Sequence, residues 1–249
     1  MIAFIALFII AFLAGIQNAL AGGGSFLTFP ALMFTGLDAR AANITSTVAL
    51  FPGQVATGLA GRRNASSLPH LSFKALFIIS LLGGIVGALL LLTTPVSIFE
   101  ALVPWLVLFA TLVFVWGNFF RKIDENSKQL GHKGSIAAQF AISIYGGYFG
   151  GGIGILMLAA LTLAGLPVRN AGATKNVLSG VMNASAVLIF LFSKDVAWTQ
   201  VAVASVASIA GGQVGAFALN RVNEKILRIC IIILGFSLTI ALFLKAYTN

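Results

Sequence analysis

The amino-acid sequence predicts an all-α polytopic membrane protein made of two inverted structural repeats. Three observations lead to this fold class: a very apolar composition, apolar runs long enough to cross a bilayer, and an internal duplication. Of the 249 residues, 59% are hydrophobic and 8% are charged, and the mean hydropathy is +1.03. An ordinary soluble domain is about half apolar and roughly one quarter charged, so we expect this chain to lie in a membrane.

Apolar runs of the length that spans a hydrocarbon core, roughly 20 helical residues, recur along the chain. The predicted spans are residues 2–20, 43–60, 72–92, 98–120, 135–149, 171–193, 197–219 and 224–246. Two further apolar pieces, 25–35 and 153–164, are too short to span comfortably. A signal peptide has basic residues ahead of its apolar run. The N-terminal run here has none, so we expect it to belong to the fold.

The second half of the chain repeats the pattern of the first. The segment GLDARAANITSTV at 36–48 matches GLPVRNAGATKNV at 165–177 in its glycine, leucine, arginine, alanine, threonine and valine. A triple glycine at 22–24 corresponds to another at 150–152. A third pair of matching blocks is GGIVGA and GGQVGA. All three pairs are separated by nearly the same number of residues, which indicates a duplicated unit.

The duplication divides the chain into a first transmembrane repeat at 1–120 and a second at 135–249, joined by a polar cytoplasmic linker at 121–134. The motif GGIVGA at 83–88 and its counterpart GGQVGA at 211–216 have the small-residue spacing that permits close helix packing. Each repeat is predicted to contain a glycine-broken helical hairpin followed by three transmembrane helices.

The two repeats are predicted to be inverted in the membrane. If the first helix and the short piece form a hairpin that enters and returns, each repeat crosses an odd number of times. Basic residues collect on the cytoplasmic side, and inversion leaves only Arg40, Lys194 and Lys245 outside, whereas a parallel arrangement divides the charges more evenly. We therefore expect a multi-pass protein of the cytoplasmic membrane with both termini outside. The net charge of +9 then reflects lipid headgroups and topology, and we expect no nucleic-acid partner.

Helices that break at glycines in an inverted repeat are typical of secondary transporters, whose substrates bind at the breaks. Main-chain N–H groups at a helix start attract anions, so Gly23, Gly24, Gly151 and Gly152 are candidate binding positions. Alternatively, these glycines permit only a tight turn or close helix packing.

Polar residues follow each break, at the start of the next span. The candidates are Asn43, Thr45, Ser46, Thr174, Lys175 and Asn176. Lys175 would attract the charge of an anion while the amides, hydroxyls and glycine N–H groups donate hydrogen bonds, although the neutral residues are also ordinary helix caps. Lys175, predicted in the first turn of its helix, opposes the helix dipole. It therefore either reaches the headgroups or meets an anion in an aqueous cavity.

Two arginines, Arg40 and Arg169, occupy matching positions in the two copies. A gating or structural role, direct contact with an anion and headgroup anchoring all remain open for them, with Asp38 as a candidate partner of Arg40. Gln54 and Asn183 place an amide in corresponding spans, and we expect this pair to line one cavity.

The remaining titratable residues exclude several classes of function. No acidic residue lies in the middle of a predicted span, which disfavours a carboxylate-based cation or proton pathway. His70, His132 and Cys230 share no metal-ligand or catalytic spacing. We therefore expect no enzyme, metal or cofactor. The expected partners are a small anionic substrate, membrane lipid and possible further copies of the chain.

The segment GGGSFLTFP, the pattern G-x(3)-R-x(4)-T in GLDARAANIT, and their repeats GGGIGILM and GLPVRNAGAT resemble the sulfite exporter TauE/SafE family, also called the 4-toluene sulfonate uptake permease family. The resemblance covers essentially the whole chain. It implies transport of sulfite, sulfoacetate or other organosulfonates across the cytoplasmic membrane. Ser46 and Thr47 are replaced by Lys175 and Asn176 in the second copy, so the two halves of the site differ chemically.

Together, the residues and the resemblance predict a secondary transporter that exports small sulfur-containing anions by alternating access. An anion channel, a sulfonate uptake permease and a membrane protein without transport activity are the alternatives.

Overall fold

The computed structural model describes residues 2–20, 23–117, 130–218 and 224–247, and within these ranges it contains ten α-helices and no β-strand. The helices are α1 (Ile2–Leu20), α2 (Ser25–Phe34), α3 (Ala39–Gly61), α4 (Phe73–Thr93), α5 (Val96–Val115), α6 (His132–Tyr148), α7 (Ile153–Leu163), α8 (Val168–Phe190), α9 (Trp198–Ala218) and α10 (Glu224–Tyr247). Each predicted span and each short apolar piece coincides with one helix, which confirms the all-α prediction for the described residues. Most of the predicted linker lies outside them, and its last residues, from His132, already belong to α6.

Local sequence explains where the central helices begin. The Asp38 carboxylate accepts a hydrogen bond from the Ala41 N–H at 2.9 Å and caps α3. Pro167 stands immediately before α8, where its fixed φ suits a helix start and its missing N–H costs nothing. Because α8 begins directly after this proline, it starts before the predicted span at 171–193.

Helices α3 and α8, which are sequence counterparts, pack against each other in opposite directions. Gly58, late in α3, lies beside the main chain of Asn176, early in α8. Gln54, one turn earlier in α3, contacts Asn183, about two turns further along α8. Positions that decrease along one helix while they increase along the other define an antiparallel pair. Other helices also pack on helices of the opposite half. Helix α1 packs on α9, and its counterpart α6 packs on α4.

Glycines make these helix contacts close. A Cβ atom at Gly83 or Gly87 of α4 would collide with α6, and one at Gly211 of α9 would collide with the main chain of Phe12 in α1. The close packing predicted from the GGIVGA and GGQVGA motifs is therefore confirmed for these three glycines.

Two of the described helices, α4 and α5, are long and apolar enough to cross a membrane by length and composition. One face of α5 exposes a stripe of large apolar side chains at helical spacing. The stripe consists of Ile98, Leu102, Trp105, Phe109 and Leu112, and Trp116, directly after the helix, continues it. A continuous exposed apolar surface of this kind suits contact with lipid.

Candidate functional site

A cleft of about 80 Å³ lies between the two glycine breaks and the central helices α3 and α8. Its polar lining consists of Asn18, Ser25, Gln54, Lys175, Asn176, Ser179 and Asn183, together with main chain at Gly23, Gly24, Gly150, Gly152 and Gly154. A cavity needs roughly 10–15 Å³ to hold one water molecule. The cleft therefore has room for several waters or for one anion of a few heavy atoms.

Two helices begin at the wall of this cleft, one from each half of the chain. Helix α2 starts at Ser25 and α7 starts at Ile153, and both residues line the cleft. Gly23 and Gly152 precede these starts with φ of +85° and +72°, a backbone conformation that other residues adopt at a cost. The N–H groups of Phe26, Leu27 and Ile155 already donate to the carbonyls of Gly23, Gly24 and Gly152. The two starts therefore offer the cleft the N–H groups at their very first residues, Ser25, Ile153 and Gly154, and a partial positive charge.

Helix α8 supplies a polar stripe along the opposite wall. Lys175, Ser179 and Asn183 are spaced four residues apart, so they lie on one face of the helix. The Asn183 side-chain N–H donates to Gln54 Oε1 of α3 at 2.6 Å. The prediction that Gln54 and Asn183 line one cavity is thereby confirmed.

Lys175 is the charged group of the cleft. It lies about two turns inside α8, so its predicted place in the first turn is wrong, and the helix dipole opposes it less than expected. A Cβ atom at Gly154, beside the start of α7, would stand 3.7 Å from the Lys175 ammonium. The salt bridge that the described residues form is between Arg40 and Asp195, and none of these residues pairs with Lys175. An ammonium without a counter-charge in an apolar setting is costly, and the cleft is the place where an anion can meet it.

Two predicted candidates, Thr45 and Thr174, hold loops of the opposite half. The Thr45 hydroxyl accepts a hydrogen bond from the Ala197 N–H at 3.2 Å, in the loop before α9. The Thr174 hydroxyl accepts from the Ser66 N–H at 2.9 Å, in the loop before α4. Both side chains are fully buried and neither lines the cleft.

Asn43, Ser46 and Gly151 also lie outside the cleft lining. The Asn43 side-chain N–H donates to the Tyr148 carbonyl at 3.0 Å, and the Ser46 and Thr28 hydroxyls share a hydrogen bond of 2.6 Å. Gly151 and Asn43 line a second, smaller cavity. The cleft therefore brings together Gly23, Gly24, Gly152, Lys175 and Asn176 of the predicted candidates.

The matched arginines have different surroundings. The Arg40 guanidinium donates to Asp195 Oδ2 at 2.9 Å and to the Thr94 carbonyl at 2.8 Å. Asp38 caps α3, so the candidate pairing of Arg40 with Asp38 is wrong. Arg169 is exposed near the start of α8.

Sequence reasoning missed several lining residues that carried a usable signal. Ser25 directly follows the first glycine break, and Ser179 lies one helical turn from both Lys175 and Asn183. Asn18 accepts a hydrogen bond from the Gly24 N–H at 3.3 Å, and nothing in its local sequence predicts that contact.

Comparison with known proteins relates nearly the whole chain to one family. The family model described as "Sulfite exporter TauE/SafE" matches residues 7–242. A "Probable membrane transporter protein" from Haemophilus influenzae is 31% identical over 94% of this chain and 91% of its own length. The "Probable membrane transporter protein ORF9" from a Sinorhizobium species is 30% identical over 95% and 90%, and "Probable membrane transporter protein YfcA" from Escherichia coli is 28% identical over 92% and 85%. No solved structure matches the chain at a significant level.

Proposed function

Because the chain belongs to the sulfite exporter TauE/SafE family, whose members compared above are named as membrane transporters, we propose that it exports small sulfur-containing anions by alternating access. The observation that carries this proposal is the ammonium of Lys175, which faces the cleft without a described partner. Sulfite and short organosulfonates are the anions that the family description and the cleft chemistry favour together.

The cleft offers an oxyanion a replacement for its hydration shell. Lys175 supplies a charge-assisted hydrogen bond, which is about twice as strong as a neutral one. Further donors around the same space are the side-chain amide of Asn176 and the first N–H groups of α2 and α7, at Ser25, Ile153 and Gly154. A group that leaves water for an apolar interior is penalised unless such bonds are made, so the clustering of donors favours an anion over a neutral solute.

The volume of the cleft limits the size of the substrates that it can hold. About 80 Å³ accommodates a compact oxyanion or a two-carbon sulfonate more readily than a ring-bearing sulfonate. We therefore propose sulfite, thiosulfate and sulfoacetate as the first substrates to test.

The transport cycle that we propose follows from inverted repeats. The counterpart helices α3 and α8 are antiparallel, which supports inversion of one half relative to the other. Broken helices that meet near the bilayer midplane are typical of transporters built in this way. Rocking of one half against the other would then expose the cleft to each side in turn.

The first experiment measures ligand-dependent stability and transport on detergent-purified and reconstituted protein. A ligand that binds the native state raises its melting temperature, so we expect shifts with sulfite, thiosulfate or sulfoacetate and smaller ones with chloride or zwitterionic taurine. In liposomes, saturable flux and counterflow are expected from a transporter, whereas a channel gives flux without either. Net movement from the cytoplasmic side identifies an exporter, and the opposite direction identifies an uptake permease.

The substitution Lys175→Gln tests the observation on which the proposal depends. Loss of a charge-assisted contact costs about 1.5–3 kcal/mol, which lowers anion affinity roughly ten- to a hundredfold. Lys194→Gln is the matched control, because Lys194 is exposed in the loop before α9. Equal sulfite affinity in both variants and the parent would contradict a binding role and make Lys175 a headgroup anchor.

A further inference from the structure

A second cavity lies directly behind the cleft. Its volume is about 10 Å³, and it is lined by Ser25, Phe26, Phe29, Asn43, Phe149 and Gly151, among others. This is space for roughly one water molecule. Ser25 lines both this inner cavity and the cleft, so the two spaces share a wall.

The partition between them is the second glycine break. Gly150 and Gly152 line the cleft, whereas Gly151, between them, lines the inner cavity. A single stretch of main chain without side chains therefore separates the two spaces, and the ring of Phe149, the residue before it, lies on the inner side. A Cβ atom at Gly151 would stand 2.7 Å from the Phe149 ring and 3.3 Å from Ala110 Cβ, so the partition has no spare room.

The far side of the partition is apolar. The rings of Phe29 and Phe149 meet edge to face, with centroids 5.9 Å apart. Ser25 and Asn43 are the polar side chains in the lining described for this cavity. An anion that leaves the cleft here loses its donors and finds few others, which creates a high barrier while the partition is closed.

A chain of polar contacts connects the partition to the Arg40–Asp195 ion pair. The Asn43 amide donates to the Tyr148 carbonyl, next to Phe149, and the Tyr148 hydroxyl donates to Thr94 Oγ1 at 3.4 Å. The Thr94 carbonyl in turn accepts from Arg40 at 2.8 Å. Residues 148–149 are therefore linked by polar contacts to the part of the molecule that holds the Arg40–Asp195 ion pair.

We propose, resting on the proposed function, that Phe149 and Gly151 form the size-selecting gate of the anion path. The anion leaves the cleft through the inner cavity and moves toward the Arg40–Asp195 end, and the Phe149 ring sets the narrowest passage. Gly151 is required because any side chain would hold the ring in place.

The first test uses Gly151→Ala, with Gly172→Ala as control, because a Cβ atom at Gly172 meets nothing within 4 Å. Overpacking of a dense region is costly, so we expect Gly151→Ala to reduce sulfite flux in liposomes about ten- to a hundredfold. Sulfite affinity should stay at the parental value, since Gly151 does not line the cleft. The double variant Gly151→Ala/Phe149→Leu should regain flux. Unchanged flux in Gly151→Ala, or joint loss of flux and affinity, would overturn the gate.

A second test needs no transported substrate. Asn43→Cys, in a background with Cys230→Ser, is exposed to the small anionic thiol reagent 2-sulfonatoethyl methanethiosulfonate. We expect labelling to be about tenfold faster or more when Phe149→Ala opens the partition. It should be unchanged when Phe190→Ala removes a buried ring that does not line the inner cavity. Equal labelling rates with and without the Phe149 ring would overturn the gate. Failure of the proposed function would instead appear as absent sulfite binding in the parent protein.

Discussion

The two ends of the α3–α8 pair share a hydrogen bond from a loop N–H to a threonine hydroxyl, but they differ in their charged contacts. At the end that we call the Arg40 end, Thr45 holds the Ala197 N–H and Arg40 holds Asp195. At the opposite end, called the Ser66 end, Thr174 holds the Ser66 N–H. There the Asn170 side chain donates to Ser66 Oγ at 2.8 Å, and Arg169 is exposed.

This comparison shows that the two copies share backbone contacts and differ in where they place charge. Each of the matched threonines accepts a hydrogen bond from a loop N–H. Of the two matched arginines, Arg40 forms an ion pair and Arg169 is exposed. The cleft shows the same division, since Ser46 is buried against Thr28 while its counterpart Lys175 faces the cleft. The first half therefore supplies the arginine of an ion pair that joins the two halves, and the second half supplies the lysine that we propose meets the anion.

The largest expected effect is an all-or-none difference between the ends in membrane sidedness. In a background without Cys230, we expect Arg63→Cys, near the Ser66 end, to react with an impermeant maleimide only from the cytoplasm. Lys194→Cys, beside Asp195, should react only from outside. Both side chains are exposed, so access depends on topology alone. Labelling of both positions from one side would eliminate the inverted arrangement.

An intermediate effect is expected from the matched arginines. Arg40→Gln removes a charged contact whose side chains are only 18% and 26% exposed, and should cost about 1.5–3 kcal/mol of unfolding free energy. Arg169→Gln, at an exposed position, should stay within about 0.5 kcal/mol. Thermal melting of both variants checks this difference, and Asp195→Asn together with Arg40→Gln/Asp195→Asn completes the double-mutant cycle that measures the coupling. Equal losses from the two arginines would show that the ends are not differently fastened.

The smallest effect should be the same at both ends. Thr45→Val and Thr174→Val each remove the acceptor of a loop N–H at nearly constant side-chain volume, and Thr174→Val also removes a longer bond of 3.3 Å to the Ser66 carbonyl. Each should lower stability by about 0.5–1.5 kcal/mol. Melting temperatures that agree between the two variants support one shared contact, and a large difference would mean that the duplication has not preserved its role.

The sequence was sufficient to predict the helices and the position of the cleft, because both depend on local patterns. Apolar runs of span length became helices, and the glycine breaks and the amides Gln54 and Asn183 met in one cleft. The partners of Thr45 and Thr174 could not be predicted, since each lies more than a hundred residues away in the chain. Gly151 faces away from the cleft because of how the backbone turns at the glycine break, and the amino-acid composition does not predict that turn.

The crossed loop contacts have a consequence for how the chain is made. The Ser66 N–H finds its acceptor on Thr174, and α1 packs on α9, so the first half leaves the ribosome before its own partners exist. Its helices can insert in order, but the loop at Ser66 and the glycine faces of its helices have no packing partner until the second half is made. Assembly of this protein therefore finishes late, and a chain truncated after the first half lacks the contacts that would let it fold alone.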